Sequence, residues 1–126
     1  MLIYGKDIQN IVNIYHSANK IIQYVNEFDD NPDKIDTKTI DAIIFRLNDI
    51  GLSIEKTTEE FKKKFNEIEW SDEIFYKTVS IIDIEDYYLI QDSLFGEPIN
   101  LDLLKVKCDQ IFNRIDKYFF SGEFLG

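Results

Sequence analysis

Ile40, Ile43, Ile44, Leu47, Ile50, Ile54, Phe61 and Phe65 fall on one face if the stretch from Thr37 to Phe65 is a helix. A strand would throw neighbouring members of the set to opposite sides. Such a stripe needs other apolar faces to bury it, so one long amphipathic helix already implies a helical partner set. Thr57 and Thr58 cross the stripe, and Gly51 lies within it. Glycine costs about 1 kcal/mol relative to alanine inside a helix, so Gly51 is expected to permit a close helix contact or a bend.

The rest of the chain supplies the partners. A first helix is predicted from Gly5 to Phe28, with a stripe of Ile8, Ile11, Val12, Tyr15, Ala18, Ile22 and Val25. The run from Asp29 to Asp33 contains Pro32 and ends it, and Asp36 or Thr37 can cap the second helix. A third helix should begin at Ser71 and end near Phe95-Gly96-Glu97-Pro98. Its apolar surface would come from Ile74, Phe75, Val79, Ile81, Ile82, Tyr88, Leu89 and Leu94. The segment TVSIIDI is β-branched, but no second strand exists to pair with it, so it reads as helix. A fourth helix is capped by Asn100 and runs to about Phe120, striped by Leu101, Leu104, Cys108, Ile111, Phe112, Ile115 and Phe119. The tail SGEFLG should fray. The expected fold is all-α, an antiparallel four-helix bundle over residues 1–126 as one domain. Only 5 glycines and 2 prolines interrupt it.

The formal net charge of -10 narrows the partners. A nucleic-acid binder neutralises phosphates with a basic face, which this balance disfavours. Acidity suits solubility or a basic partner. Lys62, Lys63 and Lys64 stand behind Glu59 and Glu60, which reads as a solvated, self-paired helix end rather than a phosphate patch. Cys108 is the only cysteine, so no intrachain disulfide forms. A reducing, cytoplasmic setting and a buried structural thiol are expected. The N-terminus MLIYGKDIQN lacks a signal-peptide pattern, and no apolar run approaches the roughly 18 residues of a membrane span.

Chemical motifs are scarce. There is no glycine-rich phosphate loop and no His or Cys pair at ligand spacing, and His16 reads as a boundary residue of the first helix. Asp83 and Asp86 could share a helical face, but a divalent ion there is the less favoured reading in so acidic a chain. No metal and no cofactor is expected.

One stretch resembles a known family. Ile50-Gly51, then Thr58 to Lys64 (TEEFKKK), then Glu67-Ile68-Glu69-Trp70, is similar to the middle of HepT-like proteins of the HEPN superfamily. Leu94-Phe95-Gly96 followed by Asn100-Leu101-Asp102-Leu103-Leu104 resembles the end of their motif region. The resemblance spans roughly Asp7 to Tyr118, with its specific part confined to about forty residues. It implies an all-α, usually dimeric protein. Active members are metal-independent ribonucleases of toxin–antitoxin pairs, marked by an arginine and, four to six residues on, a histidine, often within RNxxxHxY. The arginine can stabilise a pentavalent phosphate and the histidine can move the 2'-hydroxyl proton. The tyrosine is where a partner nucleotidyltransferase can place AMP.

The departure from that pattern is specific. Between Trp70 and Leu94 there is neither arginine nor histidine. Counting forward from Trp70 puts Lys77 and Ile82 in the two positions, and counting back from Phe95-Gly96 puts Tyr87 and Asp92 there, with Leu94 in place of the tyrosine. Lysine would also lose the bidentate fork of arginine. The favoured expectation is therefore a non-catalytic interaction protein of a bacterial toxin–antitoxin or defence system. Its partner would be a cognate toxin, an antitoxin, a nucleotidyltransferase or a second copy, with RNA the less favoured ligand. One alternative is a ribonuclease with a rearranged site drawn from Lys77, Tyr76, Tyr87 or Tyr88 with Asp83, Asp86 or Asp92. Another is an acidic immunity or inhibitor protein that covers a basic nuclease surface.

Overall fold

The computed structural model describes residues 5–30, 36–68, 70, 71, 75, 87–96 and 99–121, with 29, 30 and 116–121 described by backbone alone. Every regular element among them is a helix: α1 (Gly5–Asp30), α2 (Thr37–Lys56), α3 (Glu59–Lys64), α4 (Tyr87–Phe95) and α5 (Leu101–Ser121). None of the described helices is long and apolar enough to cross a membrane. The segment TVSIIDI and the tail SGEFLG, apart from Ser121, lie outside the described residues.

α1 is the central element. It packs on both α2 and α5. Asp7 meets Thr58 and Ser17 meets Asp49, so α1 and α2 run antiparallel. Asn19 meets Lys105 and Tyr15 meets Phe112, so α5 is antiparallel to α1 as well. Serving two neighbours turns the buried face of α1 away from the expected stripe. Ile11, Ile14, Ala18, Ile21, Val25 and Phe28 form its centre, while Val12 is 42% exposed. At 100° per residue the true stripe is rotated by roughly 70° from the expected one. His16 is exposed rather than at the boundary of the core.

α2 starts as expected, with the Thr39 N–H donating to Asp36 Oδ1 at 2.7 Å. Ile40, Ile43, Leu47, Ile50 and Ile54 are buried, as is Gly51. The predicted continuous helix from Thr37 to Phe65 is corrected: it breaks at Thr57–Thr58, both of which are extended. Local side-chain bonding replaces the helical pattern there. The Thr57 hydroxyl donates to Ser53 O at 2.8 Å, and the Thr58 hydroxyl accepts from the Phe61 N–H at 3.3 Å as the cap of α3. The break lets Phe61 and Phe65 both reach the core, stacked with ring centroids 4.5 Å apart. Lys62, whose side chain is largely covered, pairs with the exposed Glu59 at 3.5 Å.

α5 follows its expected stripe, with Leu101, Leu104, Cys108, Ile111 and Ile115 buried. Asn100 adopts φ 44, a left-handed conformation that asparagine tolerates better than most residues. Its side chain accepts from the Leu103 N–H at 3.1 Å and so caps the helix. Of the predicted third helix, Phe75 is helical and buried, and α4 forms its end. Ile90 and Leu94 carry the buried face of α4, while Tyr88 and Leu89, expected to add apolar surface, are exposed.

Candidate functional site

Two helix ends gather polar and aromatic groups. The first is the elbow between α2 and Trp70. The buried Asp7 carboxylate accepts from the Thr58 N–H and the Thr58 hydroxyl, at 2.8 Å each, and pins the start of α1 to the break. At the end of α3, the Trp70 indole N–H donates to Phe65 O at 3.0 Å and its ring meets Phe61 edge-on. Arg114 reaches across from α5. Its Nη1 donates to Glu67 Oε1, its Nη2 donates to Lys64 O at 2.8 Å, and its guanidinium carbon lies 4.8 Å from the centre of the Phe65 ring. Aromatic ring, carboxylate and terminal helix carbonyl thus share one arginine.

The second is a cleft of about 660 Å³ at the C-terminal end of α4. Ile22 and Val25 of α1 and Phe95 of α4 supply its apolar lining, and Asn26 and Gln91 supply amides. Asp92 and the exposed Asp102, from the first turn of α5, supply carboxylates. No lysine, arginine or histidine is among its described lining residues. Among the described residues, neither carboxylate takes part in a hydrogen bond or an ion pair. The last turns of α1 and α4 also carry no basic residue, so their terminal carbonyls add partial negative charge. Gly96 closes α4 with its N–H donating to Asp92 O at 3.1 Å, and an added Cβ would stand 2.7 Å from that same oxygen. The close turn there requires glycine.

The sequence candidates separate. Lys77, Asp83 and Asp86 lie outside the described residues. Tyr87 and Asp92 are both on α4, but five residues turn them to different sides. Tyr87 packs edge-on against Phe28, and its hydroxyl accepts from Gln91 Nε2 at 2.8 Å. Asp92 lines the cleft without Tyr87. Asn26 and Asp102 escaped notice as site residues because each reads locally as ordinary helix surface. Cys108 is fully buried, and burial followed by the neighbouring charge of Asp109 pushes its thiol up to about 12. It stays protonated and serves packing rather than nucleophilic chemistry.

Among the described residues no three His, Cys, Asp or Glu side chains converge in a way that could hold a metal ion. The cleft is an acidic, partly apolar recess with no cation among its described lining residues. Its chemistry is that of recognition: it can desolvate an apolar stem and attract a positive tip. Searched against known protein families, curated proteins and solved structures, the chain matches none.

Proposed function

We propose that this chain is a non-catalytic, HepT-like interaction protein of the HEPN superfamily, acting in a bacterial toxin–antitoxin or defence pair by binding a basic protein partner. The observation that carries the reading is the cleft beside Asp92 and Asp102, acidic and without a cation among its described lining residues, on a chain of net charge -10. The four-helix bundle arrangement and a homodimer belong to the same proposal. In the register counted back from Phe95-Gly96, the two positions that would do chemistry diverge, with Tyr87 on Phe28 and Asp92 in the cleft. What supports binding over catalysis is that these positions hold tyrosine and aspartate in place of arginine and histidine.

The test is co-expression with the product of each neighbouring gene, followed by size-exclusion chromatography with light scattering. A stable complex with a basic protein is the expected result. A chain that remains a partnerless monomer with every neighbour sinks the reading. A parallel assay incubates the purified protein with RNA, with and without EDTA. No cleavage is expected, and cleavage that disappears in Lys77→Ala would replace the reading by the ribonuclease.

A further inference from the structure

The elbow and the cleft share parts. At the end of α3 the parts are the Phe65 ring, one oxygen of the Glu67 carboxylate and the Lys64 carbonyl, and Arg114 meets all three, while Glu67 Oε2 is buried without a hydrogen-bond partner among the described residues. At the end of α4 the parts are the Phe95 ring and the Asp92 and Asp102 carboxylates. Here the chain offers no arginine of its own among the described lining residues. We propose that the cleft at the end of α4 seats an arginine side chain of the protein partner, flanked by its neighbouring residues. The inference rests on the interaction reading and names the chemistry by which that partner is held.

Three features favour arginine over other occupants. A planar guanidinium can meet an aromatic ring with its face and carboxylates with its edge, which a lysine ammonium cannot do together. Asp92 and Asp102 both line the recess, so a cation seated there meets two negative charges. The volume of about 660 Å³ exceeds one side chain and falls in the range of clefts that take a ligand of several residues. Apolar neighbours of the arginine would cover the half-buried Ile22 and Phe95.

The direct probe is acetyl-arginine methylamide, titrated into the ¹⁵N-labelled full chain and followed by amide NMR. Saturable shifts at Asn26, Gln91 and Gly96 are expected. Acetyl-citrulline methylamide, of the same shape without the charge, should leave them in place. The double variant Asp92→Asn with Asp102→Asn should weaken the arginine response by about tenfold, and Asp41→Asn on α2 should not. Equal shifts from citrulline, or an arginine response unchanged in the double variant, overturn the inference. Equal affinity for acetyl-lysine methylamide overturns the choice of arginine. A partner captured by co-expression separates this failure from that of the function itself. If the double variant binds that partner as tightly as the unaltered chain, the arginine seat is wrong and the interaction reading survives.

Discussion

Arg114 makes the end of α3 a closed piece of architecture, while the end of α4 holds similar chemistry open to solvent. In the elbow, the polar groups of Asp7, Thr58 and Trp70 find partners within the chain, and so does one oxygen of Glu67. In the cleft, Asp92 and Asp102 have none among the described residues. The difference lies in where the cation comes from. A carboxylate that meets its arginine inside the chain contributes to folding. One left to solvent contributes little to stability, and its charge is available for another molecule. The two ends therefore make opposite demands under mutation.

The largest effect should come from Phe61→Ala. Phe61 is fully buried against Phe65 and Trp70, and its removal should cost about 4 kcal/mol in urea unfolding. A loss under 1 kcal/mol would mean that the elbow is not the rigid unit described. Arg114→Ala comes next, because it strands Glu67, whose side chain is only 14% exposed. Arg114 itself is 35% exposed, so solvent screening reduces the penalty to about 2 kcal/mol. Arg114→Lys should recover less than half of it, since lysine cannot reach carboxylate, carbonyl and ring together. Asp7→Ala removes two charge-assisted bonds to Thr58 and should cost about 1.5 kcal/mol, with chemical-shift changes concentrated at residues 57–61. The smallest effect is expected for Asp92→Asn with Asp102→Asn, whose stability should stay within about 0.5 kcal/mol of the starting chain. A destabilised double variant would show that the cleft is structural after all, and would erase the contrast with the elbow.

What could be read from the sequence follows the range of the forces involved. The stripe of α5 was legible because that helix buries one narrow face, from Leu101 through Cys108 to Ile115. The stripe of α1 was legible only as a helix. Its apolar residues cover a wide arc, and which part is buried depends on the placement of α2 and α5, so Ile14 and Ile21 were missed and Val12 was overvalued. The Thr57–Thr58 break was not legible, although the two β-branched residues stand across the stripe. Its cause was not visible, because the carboxylate that holds Thr58 is 51 residues away. The site shows the same division. Asp92 could be picked out by its distance from Phe95-Gly96, whereas Asn26 and Asp102 join it only because α1 and α5 converge on the end of α4. Tyr87 could not be set apart from Asp92 until Phe28 was seen to take its ring.

The bond from Asp7 to Thr58 also has a meaning for how the molecule opens. It lies at the free end of the α1–α2 hairpin, so this pair cannot splay apart from that end while the bond is intact. The Thr58 amide hydrogen is held in this part-buried contact by a carboxylate from a different helix rather than by its own backbone. Its exchange with deuterated solvent therefore reports the release of Asp7, whether by separation of α1 from α2 or by unwinding of the first turn of α1. One resonance in an ordinary exchange experiment would give the opening equilibrium of that contact.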